Sequence, residues 1–483
     1  MFFNKNRMDY INMKKFNKDK YLKKLRFKKY KRYLYIGIPC ILVLLIGIYF
    51  AYSKFSVFKE EEVVRTTVGD FISGDDVIGA YIDGEYSDTI PGKNDGYVVE
   101  KIVCDNDATG SWNNDSWGIV LTNLTKRTKC NVYFETKKPP LTEVITTAMN
   151  SNPSMFAEDP GKNVRYIGTS PSNYVYFNCS DYNNQSDSTC EKWRIIGGFH
   201  NVTKGDGSKE NLVKIIRADS LGNYYWDYKR NGVGTSTENA GSNDWTDSQL
   251  MMMLNPTSYL KSGYTNSSDI ISLGSQQLYS KMGSYYNGTK GCSPAAIASG
   301  ASFSCTEVDF TSTGLKNDIT RNAIEEVVWN LGGTESFTSA SNGLASHWYG
   351  YERGTTVYSG HATTWTGKIG LMYLSDYGYA TSGGTTKDRA ACLAKELFNW
   401  DSSDFSDCKG NDYLLDANNV QWTLVPHSAY ANDVFFVVSG GYVSNGYDAS
   451  LTHAVRPALF LKSNIQVDKG TGAKSDPYTL KMQ

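Results

Sequence analysis

The chain has 483 residues, too many for one ordinary domain, and its 40% hydrophobic content can fill sizeable cores. Residues 1–32 carry 13 Lys and Arg against Asp9 and Asp19, a head of +11 that leaves the remainder at −12 within a net charge of −1. A basic head and an acidic body on either side of an apolar run point to membrane topology and away from nucleic-acid binding.

Residues 1–32 read as a cytoplasmic tail. Tyr33 to Tyr52 runs twenty residues without a charge, enough to cross a hydrocarbon core as a helix. Lys31 and Arg32 abut its start, so the positive-inside rule places the N-terminus in the cytoplasm. A cleaved signal peptide has a shorter apolar region and a small-x-small site, and no convincing site follows Phe50. The expectation is an uncleaved single-pass anchor at 33–52, a stalk at 53–66, and the bulk of the chain outside the cell.

Eight cysteines follow the apolar run, an even number that suits an oxidising compartment. They cluster as successive couples, so Cys104–Cys130, Cys179–Cys190, Cys292–Cys305 and Cys392–Cys408 are the simplest pairing. Residues 67–137 have β texture. Val77–Gly84 ends in a turn signal, and Tyr97–Val103, Trp117–Leu121 and Cys130–Phe134 read as strands of a small β-sandwich module. Pro139-Pro140 breaks the chain, and 138–165 reads as a linker with a short helix near 141–149.

The large domain is expected over 166–483. Tyr174–Phe177, Trp193–Gly197 and Leu212–Arg217 have the β-branched and aromatic density of core strands. Thr246 to Gln249 forms a capping box for a helix ending at Asn255-Pro256. A second helix is expected from Asn317 to Asn330, with Ile324, Val327, Val328 and Leu331 on one face. Ile369–Leu374 reads as a strand and Ala390–Phe398 as a short helix. The 34 tyrosines suit either recognition or a packed β core.

The closing stretch alternates two textures. Phe435–Val438 and Val455–Leu461 read as buried strands. Between and before them lie Tyr, Asn, Ser, Asp, His and Gly, the side chains of an adaptable contact surface. The chemistry of common enzymes is missing from the motifs: there is no HExxH helix, P-loop or G-x-S-x-G elbow. His200, His347, His361, His427 and His453 share no ligand-like spacing, and no metal site or other cofactor is expected from them. Asp401, Asp404, Asp407 and Asp412 could offer oxygen ligands to Ca²⁺, but without the EF-hand pattern.

Residues 174–480 resemble a group of bacterial surface proteins with a C-type-lectin-like domain. The resemblance is carried by Trp193-Arg194-Ile195-Ile196-Gly197, Asn243-Asp244-Trp245-Thr246, Lys368 to Ala380, Trp422 with Pro426, Ala454 to Ser463, and Gly470 to Leu480. Distant relatives of that group include the formylglycine-generating-enzyme fold and the variable proteins of diversity-generating retroelements. The resemblance implies an α+β fold: mixed β strands, two main helices, long loops and disulfides. It also implies a display role, in which a diversified loop face binds an external protein or glycan. The implied ligand-binding residues are His427, Ser428, Tyr430, Asn432, Asp433, Tyr442, Asn445, Tyr447, Asp448 and His453. Trp422, Gly440, Gly441 and Arg456 are the implied frame. The sequence departs from the enzyme relatives in lacking a catalytic cysteine pair near the closing segment. It departs from the sugar-binding ones in lacking a Glu-Pro-Asn or Gln-Pro-Asp triplet. An extracellular enzyme acting on wall or sulfated polymers, and a structural appendage subunit, are the rival readings.

Overall fold

A computed structural model describes residues 77–123, 128–227, 241–255, 285–288, 290–294, 305–409, 412–446 and 448–482. The expected tail, membrane span and stalk lie outside the described residues. Among the described residues no helix is long and apolar enough to cross a membrane. The chain divides into two compact units, Met1–Lys137 and Lys138–Gln483.

The first unit builds a four-stranded sheet in the order Glu85–Ser87, Val77–Ile82, Lys129–Thr136, Tyr97–Cys104. Asp83 and Gly84 turn the chain with positive φ, a conformation that Gly takes freely. A hairpin, Thr109–Asn113 with Gly118–Thr122, supplies the second layer. Its Ile119 and Trp112 pack with Ala80, Val132 and Phe134 of the sheet. Cys104 and Cys130 face each other in register on paired strands and are disulfide-bonded.

The second unit is organised by a seven-stranded antiparallel sheet. Its path runs Ile369–Gly370, Ala458–Leu461, Lys209–Arg217, Glu191–Thr203, Val164–Tyr166, Phe156–Glu158, and Tyr174–Phe177 pairs beside Glu191–Thr203. The β-branched run Leu212–Ile216 is fully buried, which is why it sits at the centre. Gly197 is required at its bulge, because a Cβ there would lie 2.1 Å from the Val164 carbonyl oxygen. A five-stranded sheet follows in the order Asn223–Tyr225, Thr452–Ala454, Gln421–Pro426, Val434–Val437, Val443–Ser444. Disulfides Cys179–Cys190 and Cys392–Cys408 staple loops of this unit. The side chains of Cys292 and Cys305 lie outside the described residues, although their strands, Lys290–Pro294 and Cys305–Asp309, form a hairpin.

Several expectations are corrected. The chain is mostly β, not α+β, because its helices are short: the longest among the described residues is Leu141–Ser151, with 11 residues. That helix buries Leu141 and Ile145 in the main core, so 138–165 is part of the large unit and not a linker. The helix expected over 317–330 stops early, at Asp318–Ala323, where Asn317 accepts from the Thr320 N–H at 2.9 Å. Beyond it, Val327 and Trp329 point inward alternately, and Val327–Asn330 pairs with Thr364–Gly367. The period-2 burial of β-branched and aromatic residues wins there over the helical spacing. Ser248, not Thr246, caps Gln249–Leu254. Only Ile369–Gly370 of the strand expected at 369–374 pairs, and Leu374–Tyr379 is a helix.

Aromatic side chains go chiefly into packing. Trp193, Trp226, Trp245, Trp329, Trp348, Trp400 and Trp422 are all buried. The unit also closes on itself. Pro140 bridges Gln466, the Leu141 N–H donates to the Ile465 carbonyl, and the Val467 N–H donates to the Pro139 carbonyl.

Candidate functional site

The segment 421–456 is built on the strand Gln421–Pro426, whose six residues are all buried. Trp422 is the fixed base. Its indole N–H donates to the Tyr224 carbonyl at 2.9 Å, and its ring lies 4.4 Å from the His453 ring. Arg456 is buried as well. It donates from Nε to the Arg217 carbonyl at 3.0 Å and from Nη1 to the Leu414 carbonyl at 2.8 Å. Gly441 adopts φ +81°, and its carbonyl accepts from the Tyr377 hydroxyl at 2.9 Å. Gly440 precedes it in the same turn, where a Cβ would touch only the Tyr442 ring.

The loop from 427 to 433 is held from below by a residue far away in the chain. The side-chain amide of Asn243 lies within hydrogen-bond distance of the carbonyls of His427 (2.9 Å), Tyr430 (2.8 Å) and Asp433 (2.7 Å). Its backbone N–H donates to the Ala431 carbonyl at 2.7 Å, and its Oδ1 lies 2.7 Å from His361 Nδ1. The Ser428 N–H donates to the Thr334 carbonyl. The second loop is tied on by the Ala449 N–H donating to the Asn432 carbonyl, by the Asn432 amide on Asp448, and by a bridge between Asp433 and Asp448. Asn243 and His361 are loop supports that spacing could not reveal, since Asn243 and His427 are 184 residues apart.

The residues expected to bind ligand divide into two groups. His427, Asn432 and His453 are supports. His427 is buried on the Phe435 ring and accepts from the Ala429 N–H at 3.1 Å, and burial pushes its pKa down. Burial also pushes His453 down, to about 4. Tyr442 is half-buried with its ring near Phe398. Burial and then Asp448 raise Asp433 to about 6. Ser428, Asn445 and Asp448 are half-buried, and Tyr447 lies outside the described residues. Tyr430 is 55% exposed and Leu451, absent from the expected set, is 42% exposed. Replacing Asn243 with Ala leaves three loop carbonyls without their donor. It is expected to cost about 2 kcal/mol in urea unfolding and to expose 427–433 to proteases. An unchanged midpoint and digestion pattern would contradict the support role.

The acidic loop does not converge. Asp401 and Asp404 are exposed, Asp407 accepts from the Thr386 N–H, and Asp412 is buried and accepts from the Leu414 N–H. Among the described residues no group of three or more His, Cys, Asp or Glu is placed to hold a metal ion.

A second cluster is ionic and sealed inside the sheet. Arg165 Nε donates to Asp159 at 2.8 Å, and Arg165 Nη1 bonds Asp376 Oδ1. Lys214 Nζ bonds Asp376 Oδ2 at 2.5 Å, and the Tyr373 N–H donates to the same oxygen at 2.9 Å. The rings of Tyr373, Trp329, Phe460 and Phe199 surround the Lys214 ammonium at 4.3 to 5.8 Å. Glu352 accepts from the Ser375 N–H at 2.7 Å and from the Ser375 hydroxyl. Burial pushes Glu352 up to about 7 against Arg353 and Ser375. Burial pushes Lys214 down to about 8 against the pull of Asp376. Burial works to raise Asp376, but Lys214 and Arg165 hold it at about 2.

Set against family models, curated proteins and solved structures, the chain finds no match in any of them.

Proposed function

We propose that the large unit is a binding module and that the loops within 427–453 recognise an external protein or glycan. The observation that carries this reading is exposure on a rigid base. Tyr430 stands 55% exposed on a loop whose carbonyls Asn243 holds. A tyrosine with a fixed backbone offers large amphipathic contact area at low entropic cost. Leu451 adds a second exposed apolar side chain on the neighbouring loop. Disulfides in both units suit an oxidising compartment.

Diversification of this face is part of the proposal, in a narrower form than the sequence suggests. Ser428, Tyr430 and Asn445 tolerate exchange on this reading. His427, Asn432 and His453 do not, because each packs or bonds inward. A neighbouring near-copy of the coding sequence for 421–456, differing at adenines in the tolerant codons only, is the genomic expectation.

The enzyme reading gains nothing from the perturbed groups. Lys214 and Glu352 have no exposed surface, so no substrate reaches them. The test is a screen of the chain against arrays of glycans and extracellular proteins, with a Tyr430→Ala/Leu451→Ala variant alongside. Specific ligands of the parent are expected to weaken on the variant by at least about tenfold, as for a central aromatic anchor. Undiminished binding by the variant would remove this face from the function.

A further inference from the structure

We propose that Lys214 and Asp376 join through a side-chain amide, a self-made cross-link between the strand Lys209–Arg217 and the helix Leu374–Tyr379. The two side chains meet head-on although 162 residues separate them, and neither has exposed surface. Lys is almost never fully buried without a reason. An ion pair is a costly way to fill such a site, since desolvation opposes its attraction. An amide carries no charge and fits the same space.

The surroundings supply what condensation needs. Four aromatic rings wall the Lys214 amine, and a dry pocket favours loss of water over hydrolysis. Arg165 Nη1 sits on Asp376 Oδ1, where negative charge grows when the amine attacks Cγ. Oδ2, on the Lys214 side, is the leaving oxygen. Glu352, bonded to Ser375 beside Asp376 and to Arg353 Nη1 at 3.2 Å, is the further buried carboxyl of the cluster, and the proposal gives it the proton-carrying role. Its pKa near 7 and that of Lys214 near 8 put a neutral amine and a proton donor within reach at neutral pH. Asp376 itself stays ionised, so the protons must come from these two groups.

The step balances without an oxidant or cofactor. The Nζ–Cγ bond forms and the Cγ–Oδ2 bond breaks. The ammonium keeps one of its three hydrogens on the amide nitrogen and yields two to Oδ2, relayed through Glu352. One water leaves, and the positive and negative charges cancel. Oδ1 remains as the amide carbonyl and still accepts from Arg165, whose charge stays matched by Asp159. No buried charge is left unpaired. The inference is independent of the binding face.

The test is the intact mass of the full 483-residue chain after denaturation and disulfide reduction, followed by peptide mapping. The expected mass is lower than that of the sequence by one water, about 18 Da. A branched peptide joining Lys214 to Asp376 is expected in the digest. Lys214→Arg keeps the charge but cannot form the link, so its mass is expected to be undiminished. Glu352→Gln is expected to accumulate unlinked chain. An undiminished parent mass, a water loss mapped elsewhere, or the same loss in Lys214→Arg would each overturn the proposal. Complete linkage in Glu352→Gln would overturn the proton relay. The parent measurement does not depend on any variant folding.

Discussion

An Arg165→Leu chain is expected to be about 3–5 kcal/mol less stable than the parent, the cost of stranding a buried charge. Arg165 is 1% exposed and carries Asp159 on one side and Asp376 on the other. Leu supplies the volume but no donor. Asp159 is then left in the interior with only Asn163 and backbone N–H groups, and the charge must be neutralised or the site opened. The effect holds whether or not Lys214 and Asp376 are joined, because Asp159 loses its partner either way. Guanidinium unfolding gives the number. Lys162→Ala is the control, since Lys162 pairs with Glu158 at 3.1 Å on the surface and a pair of that kind is worth about 1 kcal/mol or less. Equal losses in the two variants would mean that the buried network contributes no more than a surface pair. A further Asp159→Leu exchange in the Arg165→Leu background is expected to recover part of the loss, as apolar replacement of a whole buried pair often does.

Glu352→Gln is expected to flatten the pH dependence of stability between about pH 4.5 and 7. The carboxyl has a raised folded pKa, about 7 against 4.5 for the free group. The folded chain thus holds its proton more tightly than the unfolded one. The stability this adds is fully present below the unfolded pKa and is lost as pH rises through 7, in all roughly 3 kcal/mol. Other groups titrate in the same window. Asp433, raised to about 6, acts in the same sense, whereas His453, lowered to about 4, acts in the opposite one. Lys214 and Asp376, at about 8 and about 2, titrate outside this window, so the link between them offsets the two curves by a constant, and the change in the parent curve minus the variant curve across the window reports Glu352. A difference that does not change across the window would show that Glu352 is ionised in the folded chain throughout.

The strands at the centre of the large unit were legible because their signal is local. Leu212–Ile216, apolar but for Lys214, and Phe435–Val437 are runs that have nowhere to go but inside. The cysteine couples were legible for a similar reason, as Cys179–Cys190 and Cys392–Cys408 close short loops. The stretch 317–330 was not legible, since Val327 and Leu331 lie on a helical face with Ile324 and equally well on an alternating strand with Trp329. Its outcome was decided by a partner, Thr364–Gly367, that no local pattern announces. The candidate site shows the same limit. His, Asn and Asp at 427, 432 and 433 look like contact residues in the sequence. Their inward roles depend on Phe435, Asp448 and above all Asn243. The ionic cluster was invisible because Arg165, Lys214, Glu352 and Asp376 come from four separate segments that no sequence spacing joins.

The bridge between Pro140 and Gln466 has a consequence for how this unit can be handled. Its first helix begins beside its last hairpin, with three backbone contacts joining the two. A chain whose two ends meet can be cut elsewhere and rejoined there without moving its core. Circular permutants joined across 138 and 482 by a short flexible linker, and opened at the exposed turn near Asp206, keep every strand pairing of both sheets except the last rungs beside that turn. The unit is in this sense a portable cassette, free to be inserted into a host loop while its loops over 427–453 stay where the core puts them.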